Sequence, residues 1–139
     1  MRGRTLAREV ALQLAYQFDL RGEEVLAETE GFIRDVRCGP GPAAYARRLA
    51  EGVWRHREAI DARIGEASAN WTVDRIAAID RSILRLATFE MMHVSDTPPK
   101  VILNEAVELA RKFGGEGSPG FVNGVLDHIA TAVRGEGAE

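Results

Sequence analysis

Residues 121–127, FVNGVLD, contain two signals that contradict each other. The pair Asn123-Gly124 between apolar residues is the strongest short-range signal for a β-hairpin turn. The apolar residues around it, however, recur at helical spacing and do not alternate. They follow one face of a 3.6-residue period: Phe121, Val122, Val125, Leu126, Ile129, Ala130 and Val133. This longer pattern outweighs the dipeptide, and the sequence predicts a helix.

The predicted helix has a well-formed start, with Ser118 at the N-cap and Pro119 at the first helical position. Gly124 then costs about 1 kcal/mol relative to Ala in the helix interior. We therefore expect a second helix to cross closely at Gly124, so that Gly124→Leu unfolds or distorts the domain. Asn123 is expected to hydrogen-bond a neighbouring loop or helix end.

Helical spacing of apolar residues continues through the rest of the chain, and no segment alternates with period two. The predicted helices cover residues 5–20, 25–36, 45–64, 72–92 and the stretch from Pro98-Pro99 to Phe113, followed by the last helix. Gly22 is predicted to end the first helix, and residues 39–42, GPGP, to form a loop. The prediction is an all-α fold of six or seven helices.

Length and composition indicate a single domain over residues 1–139, with residues 1–5 as a flexible basic arm and 135–139 as a flexible tail. Hydrophobic residues make up 45% of the chain, but no apolar run approaches the roughly 20 residues of a membrane span. The N-terminus lacks the pattern of a signal peptide. Cys38 is the single cysteine, which excludes an internal disulfide and fits the cytoplasm.

Signatures of catalysis and of cofactor binding are missing from the sequence. No glycine-rich phosphate loop or dinucleotide-binding motif is present. His56, His93 and His128 never pair at helical spacing, so we predict no metal site and interpret them as scattered surface or partly buried residues. No histidine is paired in sequence with Cys38, which we interpret as structural or incidental. We predict neither enzyme activity nor a cofactor.

The net charge of −3 means that any nucleic-acid binding must come from a local patch. Arg2, Arg4 and Arg8 concentrate positive charge at the N-terminus, and Tyr16 follows Arg8 by about two helical turns. Arginine forks suit phosphates, and an adjacent tyrosine provides a surface for base stacking. The alternative is a solvated arginine-rich terminus with Tyr16 in the core.

Two further segments are candidates for binding. Residues 114–120 are rich in glycine and lead to Ser118 and a helix N-terminus, which attracts phosphate groups. The alternative is a flexible loop between helices. Asp80 and Arg81, with Arg85 and Glu90 farther along, are predicted to mark a narrow exposed strip on an apolar helix. That strip either docks a protein partner or is an ordinary solvated face.

Four blocks of the sequence carry a family resemblance. They are Arg4-x-x-x-Arg8-Glu9 with the following residues to Tyr16, then 80–90 (DRSILRLATFE), 98–114 (PPKVILNEAVELARKFG) and 121–127 (FVNGVLD). In this order they resemble the NusB family of bacterial transcription antitermination factors. The blocks span nearly the whole chain.

This resemblance implies an all-α domain of two packed helical subbundles. It implies a protein that binds the boxA element of nascent ribosomal RNA together with NusE, a small-subunit ribosomal protein. The pair helps RNA polymerase to resist termination, without catalysis. The implied RNA-binding residues are Arg2, Arg4, Arg8, Tyr16, Lys112, Ser118 and Phe121. The implied NusE-binding residues are Asp80, Arg81 and Leu84.

The sequence departs from the family pattern in places. Thr5 and Leu6 stand where some relatives carry arginines, and Gly117 and Gly120 stand where relatives can offer charged side chains to RNA. Two other functions are open: an RNA-binding domain of the type found at the N-terminus of a ribosomal RNA cytosine methyltransferase, and a helical scaffold without RNA function. A homodimer is a further open alternative, because some family members self-associate through the surface that otherwise meets RNA.

Overall fold

The computed structural model describes the backbone of residues 2–69 and 71–137, and the side chains of residues 3–69 and 71–134. The helices are α1 (Arg2–Arg21), α2 (Thr29–Val36), α3 (Pro40–Arg55), α4 (Arg57–Ala67), α5 (Ala78–His93), α6 (Pro99–Phe113) and α7 (Ser118–Gly137). Short 3-10 segments cover Gly22–Glu28 and Val73–Arg75. No strand occurs in these residues, which confirms the predicted all-α class.

The helices form two groups around a continuous core. α1, α2 and α3 pack on one another, and α4 to α7 form the second group. α5 also contacts α1 and α3, so it joins the two groups. Its buried residues include Ile83 and Leu84, both 0% exposed. The expected arrangement of two packed helical subbundles is confirmed.

The ends of the chain are more helical than predicted. α1 begins at Arg2, so the prediction of a flexible arm is wrong for residues 2–5. The first turn is held by the Thr5 hydroxyl, which donates a 2.7 Å hydrogen bond to Glu105 on α6. Gly22, with φ of +76°, ends α1 as predicted. At the other end α7 extends to Gly137, and residues 138 and 139 of the predicted tail lie outside the described residues.

The predicted long helix over residues 45–64 is two helices. The chain turns at His56, whose φ is −104°, although its amide still donates to the Gly52 carbonyl at 2.9 Å. α3 packs mainly on α1, whereas α4 packs on α5 and α7. One straight helix cannot follow both directions. Pro40, predicted to lie in a loop, is the first residue of α3.

The predicted helices over 25–36 and 72–92 are also interrupted. In each case a 3-10 segment occupies the beginning, and the α-helix starts later, at Thr29 and at Ala78. Ile76 and Ala77 are extended, with ψ of 137° and 138°. The apolar pattern resembles that of one helix because 3-10 and α-helices both direct residues three to four apart toward one side.

The closest approach of a helix to a glycine occurs at Gly52, not at Gly124. A Cβ atom built on Gly52 lies 2.2 Å from the Phe89 ring, so α3 and α5 meet there without room for a side chain. A Cβ atom on Gly124 meets nothing within 4 Å. Asn123 and Gly124 are both exposed, and no helix crosses them. The predicted packing role of Gly124 is therefore wrong. The hydrogen bond expected from Asn123 to a neighbouring loop or helix end is not found among the described residues either.

Candidate nucleic-acid interface

Arg8 is buried in the described structure and cannot present its charge to RNA. Its side chain is 2% exposed and donates two hydrogen bonds of 2.8 Å, from Nε and Nη2, to the carboxylate of Glu90. Nη1 donates to Glu105 at 3.2 Å. Burial alone would lower the pKa of Arg8, but the hydrogen bond and charge of Glu90 hold it above its ordinary value. The prediction that Arg8 contacts RNA is wrong, because the residue ties α1 to α5 and α6.

Tyr45 on α3 completes this buried ion pair. Its hydroxyl donates a 2.7 Å hydrogen bond to Oε2 of Glu90. Burial, followed by the hydrogen bond to Glu90, raises the pKa of Tyr45 to about 12. The Tyr45 ring also lies under Arg4, with the guanidinium carbon 4.3 Å from the ring centroid. One tyrosine therefore connects the internal ion pair to a surface arginine.

Arg4 remains at the surface, with 32% of its side chain exposed. It donates to the Thr97 hydroxyl at 2.7 Å and to the two Asp96 oxygens at 3.3 Å. The hydrogen bond to Asp96 is the main reason that the pKa of Arg4 is raised. Because Arg4 lies in the first turn of α1 rather than in a flexible arm, its position is fixed before any ligand arrives. The side chain of Arg2 lies outside the described residues.

Lys112 lies in the last turn of α6 and contacts Glu9 of α1. Its side chain is 58% exposed, and its ammonium donates to the Glu9 carboxylate at 2.9 Å and 3.1 Å. The two residues border a cavity of about 410 Å³, which we call the Glu9–Lys112 groove. Its lining also includes Thr5, Glu105, Glu108, Leu109 and Arg111. The groove lies between α1 and α6, and three carboxylates offset its two cations.

Tyr16 is half-buried and lines a different cavity from Arg4 and Lys112. It lines a groove of about 300 Å³ formed by α1, the 3-10 segment after it and α2. The other residues of this groove are Gln13, Leu14, Gln17, Arg21, Val25, Glu28 and Phe32. Among the side chains that the structure describes, none of the other predicted RNA-binding residues lines it. Helical spacing had predicted that Tyr16 adjoins the N-terminal arginines through Arg8. In the structure Arg8 is buried, and Tyr16 does not share a cavity with the exposed Arg4.

Ser118 and Phe121 share a cavity of about 370 Å³ with Asp80, which we call the Trp71–Phe121 cavity. Trp71 is 51% exposed, and Phe121 is half-buried. The Ser118 hydroxyl accepts a 2.9 Å hydrogen bond from the Gly115 amide, which folds the glycine-rich loop against α7. Residues predicted to meet RNA and a residue predicted to meet the protein partner thus line one cavity.

The charged residues of α5 point inward, so the predicted exposed strip is wrong. Arg81 donates to Asp19 at 2.6 Å and 3.1 Å, and also to the Ile76 carbonyl at 2.6 Å. Arg85 donates to Asp19 at 2.7 Å and to Asp61 at 2.8 Å. These pairs join α5 to α1 and α4. Burial alone would raise the pKa of Asp19, but hydrogen bonds from Arg81 and Arg85 hold it below its ordinary value.

This inward geometry revises the predicted partner-binding set. Leu84 is 0% exposed and packs in the core, so a partner cannot reach it. Arg81 is 14% exposed and fully engaged with its own chain. Asp80 is 8% exposed, and its Oδ1 has no hydrogen-bond partner among the described residues. Of the three predicted residues, Asp80 lines the Trp71–Phe121 cavity.

The structure brings two of the three histidines together. The rings of His56 and His93, far apart in sequence, stack with centroids 4.3 Å apart beside Phe89. Burial, then the neighbouring His56 and Arg48, lower the pKa of His93. Among the residues that the structure describes, no three His, Cys, Asp or Glu side chains are grouped to hold a metal. Cys38 is half-buried, and its thiol lies 3.9 Å from the Gly39 carbonyl.

Sequence reasoning missed three residues that the structure places at cavities: the exposed Trp71 and Arg48 and the buried Tyr45. The spacing of Pro42, Tyr45 and Arg48 puts them on one face of α3, which could have indicated a shared surface.

No helix in the described part of the chain is long and apolar enough to cross a membrane.

Comparisons with known proteins agree over nearly the whole chain. The family model described as the NusB family matches residues 5–131. The transcription antitermination protein NusB of Geobacter sulfurreducens is 44% identical over 140 residues, which cover 99% of this chain and 100% of that protein. The NusB of Desulfotalea psychrophila is 45% identical over 137 residues, which cover 94% of this chain and 97% of that protein.

A solved structure of a complex agrees with the described fold. A crystal structure of the antitermination factors NusB and NusE in complex with double-stranded RNA contains a chain that is 31% identical, with a TM-score of 0.86. The match covers 95% of this chain and 98% of that one. The sequence and the fold lead to the same assignment, and the chain belongs to the NusB family.

Proposed function

We propose that this chain is a transcription antitermination factor that binds boxA RNA of nascent ribosomal RNA transcripts together with NusE. The pair then helps RNA polymerase to resist termination. The observation that carries this proposal is the match, over 95% of the chain, to a NusB solved with NusE and RNA. Such a role requires no catalysis, and it places the protein in the cytoplasm, where transcripts are made.

For the RNA-binding surface we propose Arg4, Lys112 and Phe121, with Ser118 positioning the loop beside Phe121. Arg4 and Lys112 supply exposed cations on α1 and α6, and Phe121 supplies an aromatic face at the start of α7. Base stacking on an aromatic ring, combined with contacts from cations to phosphates, is how proteins bind single-stranded RNA. Tyr16 contributes to this surface only if RNA extends around α1 into the Tyr16 groove.

We place the junction of RNA and NusE at the Trp71–Phe121 cavity. Asp80 contributes an unpaired carboxylate oxygen there, and Trp71 contributes an exposed ring. A buried acceptor without a partner costs free energy, so a donor from a ligand or partner would be favoured at this position. Arg81 and Leu84 are not part of the proposed surface.

RNA affinity of the isolated chain is expected to be weak, because both cations of the proposed RNA surface are paired with carboxylates. Arg4 is bonded to Asp96, and Lys112 to Glu9. Each phosphate neutralised on a single strand contributes about −0.7 to the log–log dependence of affinity on salt. With a few contacts, the slope is expected to be about −2 to −3. The surface of NusE would then supply the remaining affinity.

The test is fluorescence anisotropy with a labelled single-stranded boxA RNA, with and without NusE. We expect tight, sequence-dependent binding only when NusE is present, and weaker binding of a scrambled RNA of equal length. A complex with NusE that leaves boxA RNA unbound would refute the RNA function and favour a scaffold. A duplex RNA of the same sequence serves as a second competitor, because it distinguishes recognition of bases from recognition of helix shape.

A further inference from the structure

The largest of the cavities described for this chain adjoins the surface proposed above at Arg4 and extends from there onto α3. It has a volume of about 590 Å³ and opens between the first turn of α1 and the N-terminal half of α3. Gly3 and Arg4 line it from α1, and Pro42, Tyr45 and Arg48 line it from α3. We call it the Arg4–Arg48 cavity. Its volume falls in the range of pockets that bind small ligands, and it has room for one nucleotide.

Among the described residues, the charged side chains that line this cavity are both arginines. Its lining contains two arginines and no carboxylate, whereas the Glu9–Lys112 groove contains three carboxylates. Arg48 donates a 3.2 Å hydrogen bond to the His93 carbonyl and makes no ion pair with a carboxylate of the described residues. Its charge is therefore free to attract an anion, and the hydrogen bond to α5 restrains the side chain.

Arg4 is held in place on the opposite side of the cavity. Its guanidinium lies over Tyr45, and the Tyr45 hydroxyl is in turn fixed by the buried Glu90. The remaining partner, Asp96, is 67% exposed and lies 3.3 Å away. Exposed ion pairs of this kind contribute little to stability, so an incoming phosphate can share or replace Asp96 at small cost. A guanidinium that is fixed in advance binds phosphate with little loss of entropy.

We propose that the Arg4–Arg48 cavity binds a phosphodiester group of single-stranded RNA, held between Arg4 and Arg48. This inference rests on the proposed function and extends the RNA path from α1 onto α3. An RNA backbone fits better than an acidic protein segment, because Arg4 belongs to the proposed RNA surface. From Arg4 that surface continues through the next residue, Thr5, to the Glu9–Lys112 groove. The site binds the backbone, so it should be indifferent to base sequence.

The experiment compares Arg48→Ala with Arg55→Ala as a matched control. Arg55 is an exposed residue at the end of the same helix, lines none of the cavities described above, and loses the same charge. Each variant is measured as its complex with NusE, against boxA RNA, by anisotropy over a series of salt concentrations. Loss of one phosphate contact should reduce the steepness of the log–log salt slope by about 0.7, which amounts to roughly a fivefold weaker affinity at 0.1 M salt.

Arg48→Lys provides the second variant. It keeps the charge and should retain the salt slope while losing part of the affinity, because a lysine lacks the forked donor geometry. Arg48→Ala should weaken the affinity for a scrambled RNA by the same factor as the affinity for boxA RNA. Thermal melts of all variants should match the wild type, since Arg48 is exposed and bonded only through one carbonyl.

Three results would overturn the inference. In the first, the wild-type complex binds boxA RNA, and Arg48→Ala and Arg55→Ala have equal affinities and salt slopes. This result would reject RNA binding at the cavity and leave the proposed function standing. Failure of the wild-type complex to bind boxA RNA would reject both. Weakened NusE binding by Arg48→Ala in the absence of RNA would assign the cavity to the protein partner.

Discussion

Arg8 and Glu90 form a bidentate ion pair inside the protein, with two N–O distances of 2.8 Å and side chains that are 2% and 1% exposed. Glu90 accepts a third hydrogen bond from Tyr45, and Glu105 adds a second carboxylate to Arg8. Three helices of the N-terminal and C-terminal groups thus meet at one buried carboxylate. The pair holds the surface that carries Arg4 in a fixed position relative to α5.

Removing one partner of this ion pair should destabilise the protein strongly. Glu90→Ala leaves the Arg8 charge buried without its main counter-charge, which typically costs about 3–5 kcal/mol. Urea denaturation measures this loss. The double variant Arg8→Met with Glu90→Leu should lose less stability than Glu90→Ala alone, because no uncompensated charge remains. Equal stability of Glu90→Ala and wild type would contradict the burial of the pair.

The contact between Gly52 and Phe89 predicts a large difference between two glycines. Gly52→Ala places a methyl group where the Phe89 ring lies 2.2 Å away, and we expect a loss of about 1–3 kcal/mol. Gly124→Ala meets nothing within 4 Å and should be neutral or raise stability by up to about 1 kcal/mol. Thermal melts of the two variants provide the comparison. A stable Gly52→Ala, or a strongly destabilised Gly124→Ala, would contradict the described helix crossing.

Asp19 predicts a specific dependence of stability on pH. Burial would raise its pKa, but hydrogen bonds from Arg81 and Arg85 lower it below the ordinary value of 3.8. A carboxylate with a lowered folded-state pKa stabilises the protein above its unfolded-state pKa, and the contribution is lost as pH falls through the folded-state pKa. Asp19→Asn should therefore destabilise the protein at pH 7, and the difference from wild type should shrink below about pH 4.

The control for that experiment is Asp35→Asn, an exposed position on α2 that loses the same charge. Its stability should follow the wild type across the pH range. A difference between Asp19→Asn and wild type that stays constant from pH 7 to pH 3 would show that the ion pairs of Asp19 do not titrate as described.

Glu9 is expected to limit the affinity for RNA. Its carboxylate bonds to Lys112, and its negative charge lies on the proposed RNA surface. Glu9→Gln frees the ammonium and should strengthen binding of boxA RNA by the NusE complex several-fold at low salt. Glu58→Gln, on the exposed side of α4, changes the net charge equally and should have little effect. Identical affinities for the two variants would refute the competition between Glu9 and RNA.

The helices and their buried faces could be predicted from the sequence because apolar periodicity is a local property. The stripe that includes Val122, Val125 and Leu126 is buried as predicted. The end of α1 at Gly22 was also predictable, because glycine readily adopts the positive φ that the structure shows there. The interruption at His56 was not, because a bend depends on which helices pack on either side of it rather than on the residue itself.

The direction of charged side chains was the main failure of sequence reasoning. The four-residue spacing of Arg4 and Arg8 places them on one face, but it does not reveal which helix covers that face. Glu90 lies 82 residues away from Arg8, and no local pattern indicates their pairing. The same limit applies to Gly52 and Gly124: sequence identifies a glycine within a helix, whereas only the packing identifies which glycine a neighbour approaches.

The central claim is that RNA binds surface cations, while Arg8 serves only the interior. The most direct measurement is the affinity of the NusE complex for boxA RNA in the double variant Arg4→Glu with Lys112→Glu. Arg55→Glu with Arg134→Glu, which makes the same charge change at other exposed positions, is the control. We predict at least a tenfold loss of affinity for the first pair, with its melting temperature near the wild-type value, and a much smaller loss for the second. Equal affinities for the two double variants would contradict the account.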